Sequence, residues 1–539
     1  MAAKYLLTTL GCKVNQYESQ QIRELLESFG LRPAAAGQQA DLAVVNTCAV
    51  TVSASRKNRQ AIRRLSRGGR TPVVVVGCGA SADRDRLSEL AGVVAVFGHD
   101  VDVRSELHAL LSKRLDHPSE GSTRRTQPVA GEPFGSRGNE VSMKPDDTTP
   151  IPEASTPANP GSPLRIIAPD LPIVKKTDVL LGRIEVFAGH QRAFLKVQDG
   201  CDAFCTYCII PRLRPVLGSK PVEIAVAEAE ALVRAGHREI VITGIFLGAY
   251  GRTTAIRKRF GSGPSPLATL VAALAEVDGL ERLRLSSLEP GDVDASLLEV
   301  LTAHPACVPH LHLPLQSGSA TILRRMNRQY TSRDFLEMVD RVRGTLDHPA
   351  ITTDIIVGFP GETERDFQAS LAIARHTEFC KIHAFPFSSR DGTAASKWRT
   401  EFIEPPVVRE RMRRLSELER ECSMAFRAPL VGRQERVIVE EAGEDDAAPW
   451  PAIRHGRADR YFEVHFEADK SVRAGDLVDV RIDRVTPTRT HATHIDKRSS
   501  VYPLYVASNV AGASLSAGVS PSAGVSPSAG VSPSAGADV

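Results

Sequence analysis

Three cysteines, Cys201, Cys205 and Cys208, stand at a C-x3-C-x2-C spacing in the run DGCDAFCTYCIIP (199–211), with Tyr207 directly before the last sulfur. Three thiolates on one short loop can face a common centre. A tetrahedral structural zinc wants four protein ligands, and no fourth Cys or His lies nearby at a matching spacing. A [4Fe-4S] cubane bound through three of its four irons fits better, because thiolates are the usual cluster ligands and the fourth iron stays open to a small molecule. The competing readings are a distorted zinc knuckle and three packed structural thiols.

A second set is dispersed. Cys12, Cys48 and Cys78 each close an apolar run, at 5–11, 42–45 and 73–77. The intervals between them each fit one strand, helix and strand unit, with helical periodicity at 18–29 and 53–65. If the strands are parallel neighbours, all three thiols emerge at the carboxyl edge of one sheet, where open α/β folds place their ligands. Three small buried hydrophobes is the plain alternative. Against it, Cys12 and Cys78 each follow a glycine, and Cys48 follows the polar pair Asn46 and Thr47, which suit loops. The functional reading is a second three-thiolate cluster.

The C-x3-C-x2-C loop needs a scaffold too. Six strand patterns (193–198, 239–243, 282–287, 310–314, 352–357 and 381–385) alternate with helical ones at 221–235, 266–277, 332–343 and 364–376. Such alternation predicts parallel strands with helices outside, and six units are too few for a closed eight-fold barrel, so a partial (β/α)6 barrel is expected. Polar residues gather where those strands end: Thr243 and Gly244, Ser287 and Glu289, Gln316 and Ser317, Asp354 and the turn GFPGE (358–362). Singly, each is an ordinary cap or turn signal. Repeated at one mouth, they are what a nucleotide-like cofactor requires, and Gly244, Ser287, Glu289, Gln316 and Asp354 are the candidate cofactor contacts.

After Cys48 comes a helix carrying Arg56, Lys57, Arg59, Arg63 and Arg64, followed by Arg67 and Arg70, with no acidic residue between Thr51 and Thr71. It is either a solvated basic face or a holder of nucleic-acid phosphates. Residues 430–495 change to short alternating stretches (ERVIVEE, RYFEVHFE, DLVDVRIDRV) that predict a small all-β barrel or sandwich. Small barrels often hold single-stranded RNA, and Arg454, Arg457, Arg460 and Tyr461 are its candidate contacts.

The bounds agree. A chain of 539 residues, 42% hydrophobic and 24% charged, allows several domains with substantial cores. A net charge of +3 is too small to argue for nucleic acid without local clustering. Nine cysteines without secretory features favour metal or redox chemistry over disulfides, and Cys307, Cys380 and Cys422 read as packed thiols. There is no signal-peptide pattern and no membrane-length apolar run, so a cytoplasmic protein with no membrane partner is expected. The expected organisation is an N-terminal open parallel α/β domain over 1–115, a disordered linker over 116–180, the partial barrel over 181–428, the small β-barrel over 429–497 and a tail from 498 that repeats SAGVSP.

The three scattered cysteines, C-x3-C-x2-C, LRLSSLEP (283–290), HLPLQSGS (312–319), RRMNRQYT (324–331) and TDIIVGFPGET (353–363) together resemble the radical S-adenosylmethionine methylthiotransferase family, whose final β domain is of the TRAM type. TLGCKVNQYES (9–19) resembles the branch acting on threonylcarbamoyladenosine in tRNA, rather than the isopentenyladenosine or ribosomal-protein branches. The resemblance implies two [4Fe-4S] clusters, one on Cys201, Cys205 and Cys208 that cleaves S-adenosylmethionine, one on Cys12, Cys48 and Cys78 that carries the added sulfur. It implies as partners a tRNA anticodon stem-loop and proteins that donate electrons and sulfur. It asks no acid or base of the chain. The sequence departs from the family pattern at Pro215 and Gly218, after Cys78 at 79–81, and at Phe246, while Arg214 and Lys220 are retained. A non-catalytic iron–sulfur RNA-binding sensor is the competing function class.

Overall fold

Runs of β-branched residues build the first sheet. The strands are β1 (Lys4–Thr9), the two-residue β2 (Arg32–Pro33), β3 (Leu42–Thr47), β4 (Val73–Gly77) and β5 (Val93–Phe97), all parallel in the order β2-β1-β3-β4-β5. The computed structural model describes residues 3–35, 37–66, 68–116, 182–257, 265–441, 452–469 and 471–495; the expected linker beyond Asp116, which ends a helix, the SAGVSP tail and Arg67 lie outside the described residues. Strands β3 and β4 are buried along their whole length, which is why they read as unbroken apolar runs rather than alternating ones. Helices α1 (Lys13–Ser28) and α2 (Val52–Ser66) flank the sheet, whose faces pack as separate layers around Val44, Val74 and Leu26 on one side and Val45, Val75 and Ile62 on the other. Helix α1 starts immediately after Cys12, five residues before the periodic pattern, because Val14 and Tyr17 extend its buried face. The sequence pattern did not single out β5.

The second sheet system is an arc. Strands β6 (Arg192–Asp199), the short antiparallel β7 (Gly218–Ser219), β8 (Glu239–Gly244) and β9 (Arg282–Leu285) form one sheet, and β10 (His310–His312), β11 (Ala350–Val357) and β12 (Lys381–Pro386) another. Parallel bridges Leu283–Cys307 and Ser287–His312 join them, so six parallel strands follow one another from β6 to β12. Strand β12 does not pair with β6 among the described residues, and the (β/α)6 barrel is open there. Its largest core lies between the strands and the outer helices, around Leu195, Ile242, Leu283, Leu311, Ile355 and Phe335. The pattern missed the long helix Pro405–Arg427, whose apolar stripe of Leu415, Leu418, Cys422 and Phe426 is thin amid dense charge. Cys307, Cys380 and Cys422 are buried, as expected.

Strands β13 (Gln434–Glu441), β14 (Ala452–Ala458), β15 (Glu463–Ala468), β16 (Leu477–Val485) and β17 (Thr490–Ile495) close a small barrel in the order β13-β14-β15-β17-β16. Alternation puts Val437, Val439, Val464, Phe466, Val480 and Ile482 inside it. The expected RNA contacts on this barrel are corrected by its docking. Arg460 donates to the carbonyls of His348 and Asp347 at 3.0 Å each and pairs with Glu435. Tyr461, at φ +70°, stacks on His310 with ring centroids 4.4 Å apart, and Arg457 binds Glu440. Arg282 and Arg284, both on Glu239, donate to the carbonyls of Ala458 and Asp459. Glu239, Arg282 and His310 are the first residues of their strands, so the turn 458–461 plugs the amino end of the arc, away from the thiol loop. Arg454 is buried as well. No described helix is long and apolar enough to cross a membrane.

Candidate iron–sulfur and cofactor site

Strand β6 delivers the C-x3-C-x2-C loop to the carboxyl end of the arc. Gly200, at φ +80°, makes the turn, and a Cβ there would lie 1.9 Å from the Val216 carbonyl oxygen, so no other residue fits. The loop is pinned from outside by RRMNRQYT. Thr206 N donates to Met326 O at 3.0 Å, Thr206 Oγ1 to Arg325 O at 2.8 Å, and Asn327 Nδ2 to Phe204 O at 3.1 Å. Arg328 Nη1 donates to Cys205 Sγ at 3.2 Å, while its Nη2 meets Glu289 at 2.6 Å. Glu289 is in turn bound by Arg257 at 3.1 Å, and Arg257 by Asp292 at 2.7 Å. This buried relay was invisible in sequence. It explains RRMNRQYT and LRLSSLEP together, because the Glu of one motif orients the Arg of the other.

Ala203, Ala249 and Ala255, with half-buried Ile245, Phe246 and Leu217, give the thiols an apolar wall. Burial pushes the Cys201 and Cys208 thiols up to about 12 and raises Cys205 too, with Arg328 opposing the rise at Cys205 and, by its charge, at Cys208. Such thiols stay protonated until a cation replaces the proton. Among the described residues no three His, Cys, Asp or Glu side chains gather on a point that one metal ion could occupy, as a zinc knuckle would need. A cubane spreads its three thiolates over three irons, so this loop, with an arginine donor on one sulfur and an apolar wall, fits a cluster.

The other expected cofactor residues line the arc beside the loop. Gly244 ends β8 against Gln198, whose Oε1 accepts from Phe246 N at 2.7 Å. Ser287 is exposed and bridges to His312, whose Nε2 lies 3.4 Å from Asp354 Oδ2. Asp354 is in register with His383, and the two imidazoles are 5.8 Å apart. Gln316, at φ +61°, is half-buried and takes a backbone bond from its N–H to Asp354 O at 2.8 Å. Gly244, Ser287 and Gln316 thus lie at or just beyond the carboxyl ends of arc strands, with Asp354 paired to Gln316, whereas both oxygens of Glu289 are taken by Arg257 and Arg328. His312 and His383 stand beside Asp354, and the alternation of β10 and β12 was the signal for them. In GFPGE, buried Glu362 accepts from Gly358 N at 2.8 Å and from Arg411 at 2.7 Å, which clamps the turn.

Cys12, Cys48 and Cys78 do emerge together at the carboxyl edge of the first sheet. Gly11, at φ +117°, lets the Cys12 turn pass so close that a Cβ on it would lie 3.0 Å from Cys48 Cβ. Asn15 Nδ2 donates to the carbonyls of Leu10 and Thr47, and Asn46 Nδ2 returns a bond to Asn15 O at 2.9 Å. Asn58 on α2 bonds both the N–H and the carbonyl of Cys48. Cys78 opens the short helix α3 (Cys78–Ala82); its buried thiol is pushed up to about 11 and receives Arg214 Nε at 3.4 Å. These three thiols fit a cluster by the same criteria.

The two thiol sets are neighbours. Ile209, next to Cys208, packs on Ala49 and Cys78. The Arg214 carbonyl accepts from Cys201 N at 3.0 Å while its guanidinium reaches Cys78. That guanidinium also forks onto Glu18 at 2.9 Å twice and meets Asp199 at 2.8 Å, with Lys196 completing the buried group. Tyr17 donates to Glu228 at 2.7 Å beside the Lys220–Glu228 pair, so α1 covers the β6 edge of the arc. At the β12 side, Val52 N donates to Ser388 Oγ at 3.0 Å and Arg390 to Ser55 at 2.9 Å. The N-terminal sheet is thus fastened to both edges of the open mouth.

Comparison with known proteins agrees with this arrangement. The profile of the uncharacterized protein family UPF0004 matches residues 4–98, and that of the Radical SAM superfamily matches residues 195–374. The chain is similar to the threonylcarbamoyladenosine tRNA methylthiotransferase MtaB of Chlamydia pneumoniae, at 33% identity over 89% of this chain and 96% of the relative. It is similar to the protein of that name from Bacillus subtilis, at 32% over 88% and 92%. It is equally similar to the tRNA-2-methylthio-N(6)-dimethylallyladenosine synthase of Zymomonas mobilis, at 32% over 92% and 97%. Two neighbouring thiol triplets, the open parallel arc and relatives matched over nearly their full length lead to one conclusion: the chain belongs to the radical S-adenosylmethionine tRNA methylthiotransferase family, whose members carry two [4Fe-4S] clusters and use S-adenosylmethionine.

Proposed function

We propose that this enzyme installs a methylthio group at C2 of N6-threonylcarbamoyladenosine at position 37 of tRNA. Methylthiolation is supported by the closeness of the two cysteine triplets, which Ile209 and Arg214 span, and the choice of nucleoside by TLGCKVNQYES and by the relatives named for threonylcarbamoyladenosine. In this reading Cys201, Cys205 and Cys208 hold the cluster that binds S-adenosylmethionine, and Cys12, Cys48 and Cys78 hold the auxiliary one. When bound, these groups supply a cofactor-derived radical and an activated sulfur, which an aromatic C–H demands because it offers no acidic proton. The chain does the rest. Arg328 and Glu289 fix Cys205, Arg214 fixes Cys78 against the loop of Cys201, and Gly244, Ser287, Gln316 and Asp354 receive the cofactor. Its partners are the anticodon stem-loop and proteins that donate electrons and sulfur, in the cytoplasm, and no membrane.

A second reading, methylthiolation of dimethylallyladenosine, draws on relatives named for that product at the same identity. Nucleoside mass spectrometry of tRNA from a deletion strain decides. Under the first reading threonylcarbamoyladenosine persists and its methylthio derivative vanishes; loss of the methylthio derivative of dimethylallyladenosine instead overturns it. Deoxyadenosine production by the anaerobically reconstituted protein separates an enzyme from an iron–sulfur sensor.

A further inference from the structure

Helix α2 carries one sign of charge and buries the other face. Ser55, Asn58, Ala61 and Ile62 are inside, and Asn58 roots the helix on Cys48. Arg56, Lys57, Arg63 and Arg64 are exposed on the opposite side. Positions 56 and 63, and 57 and 64, are seven apart, so the four cations form one stripe about 10 Å long. None has a carboxylate within ion-pair distance among the described residues. The helix has no acid to offset the stripe: its first turn lacks one, and Arg56–Arg59 and Arg59–Arg63 are like-charge neighbours at i,i+3 and i,i+4, while only Arg63 and Arg64, in the last turn, suit the helix dipole. An ordinary solvated face interleaves signs. Here the like-charge neighbours have no carboxylate between them, and a polyanion laid on the face relieves that repulsion.

The location selects the polyanion. The helix starts at the mouth, where Val52 and Ser55 meet Ser388 and Arg390, and runs outward from the Cys48 turn. Arg454 and Arg460 of the small barrel are buried and Tyr461 stacks on His310 of the arc, whereas α2 presents an exposed basic face beside the site. We infer that Arg56, Lys57, Arg63 and Arg64 hold the phosphates of the RNA whose base enters the mouth, an inference that rests on the reading of the substrate as tRNA. The contact is electrostatic and sequence-independent, so it sets affinity and orientation, not the choice of nucleoside.

The test uses the full chain, anaerobically reconstituted, and bulk tRNA from a strain lacking the enzyme as probe, with affinity measured against potassium chloride concentration. Each phosphate contact adds roughly 0.7 to 0.9 to the slope of log affinity against log salt. The variant R56Q/K57Q/R63Q/R64Q is expected to lose about three units of slope and roughly a hundredfold or more in affinity at low salt. The variant R56K/R63K/R64K keeps the charges and is expected to keep the slope, and a wild-type iron content and circular dichroism spectrum of the Gln variant exclude a folding defect as the cause of its loss. Gln substitution that leaves the slope within half a unit of wild type overturns the inference, while the substrate reading stands. A wild-type protein that binds no tRNA overturns the substrate reading itself. Binding of phosphatidylglycerol vesicles that is lost in the Gln variant, with tRNA affinity unchanged, assigns the face to lipid and also overturns the inference.

Discussion

Replacing Arg214 with methionine removes one cation from a buried group of four charges. Arg214 is 0% exposed and Lys196 1%, and the carboxylates of Glu18 and Asp199 are nearly as enclosed. The intact group is balanced. Without Arg214, two carboxylates share the single ammonium of Lys196, and one negative charge is left uncompensated in a nearly enclosed site. Breaking a buried pair from one side costs about 3–5 kcal/mol. Removing the matching charge as well, with Glu18→Gln, restores neutrality, and the doubly substituted chain is expected to recover about 2–3 kcal/mol of that loss. The assay is urea unfolding of the apo chain, followed through a double-substitution cycle with midpoints compared at constant m-value. Coupling below about 0.5 kcal/mol, the range of independent sites, would falsify the account of Arg214 as the balanced centre of the seam.

Other substitutions probe the remaining parts. Gly200→Ala puts a Cβ against the Val216 carbonyl at a positive φ, so the loop of Cys201 cannot form; iron content after reconstitution should fall from roughly eight to roughly four per chain, and a full complement refutes the turn's importance. Arg328→Met removes a guanidinium 3.2 Å from Cys205 Sγ. At an effective dielectric near 20 a unit charge at that distance is worth about 5 kcal/mol, and with Glu289 cancelling about half of it roughly 2.5 kcal/mol remains, or about 110 mV lower one-electron potential for the cluster at Cys205. An unchanged midpoint in a redox titration removes Arg328 from the site. Burial raises the Glu362 carboxyl from 4.5 to about 7 despite Arg411. An acid raised in the folded state stabilises it fully below its unfolded pKa, and that contribution is lost as pH climbs through 7. Glu362→Gln should therefore flatten the decline in stability between about pH 5 and 7, and a parallel decline in both proteins contradicts the assignment.

Spacing made the two cysteine sets legible, because a turn at the end of a strand needs glycine or polar residues wherever the strand begins and ends. The strands themselves were legible for the same reason: unbroken Val runs cannot sit anywhere but the middle of a covered parallel sheet. What escaped was long-range pairing of charge. Nothing local marks Arg214 as the partner of Glu18, or Glu289 as the partner of Arg328, since each pair is brought together by strands and loops far apart in the chain. The basic and aromatic residues of the small barrel misled for the converse reason. Arg460 and Tyr461 are as apt for closing a domain seam as for holding RNA, and only the docking of the turn against His310 and Asp347 shows which they do.

The motif KVNQYES illustrates the distinction most sharply, because it is the stretch that resembles one substrate branch. In the structure its residues are spent on architecture: Asn15 stitches the Cys12 turn to the strand before Cys48, Ser19 bonds Thr9 and Asn46, Glu18 forks onto Arg214, and Tyr17 reaches Glu228. Tyr17 and Glu18 together hold α1 on the β6 edge, and with it the register between the two thiol sets. Tyr17→Phe deletes two hydrogen bonds to a buried ion pair, one donated to Glu228 and one accepted from Lys220, a loss of about 1–3 kcal/mol taken mainly from that docking. The thiol loop on β6 keeps every contact of its own with RRMNRQYT. Deoxyadenosine formation from S-adenosylmethionine should consequently persist in the variant while methylthiolated nucleoside falls severalfold or more. If both products fall by the same factor, Tyr17 supports the arc alone; if neither changes, the seam does not depend on it. The uncoupled result would place the motif's effect on the transfer between the two centres, where any nucleoside substrate depends on it equally.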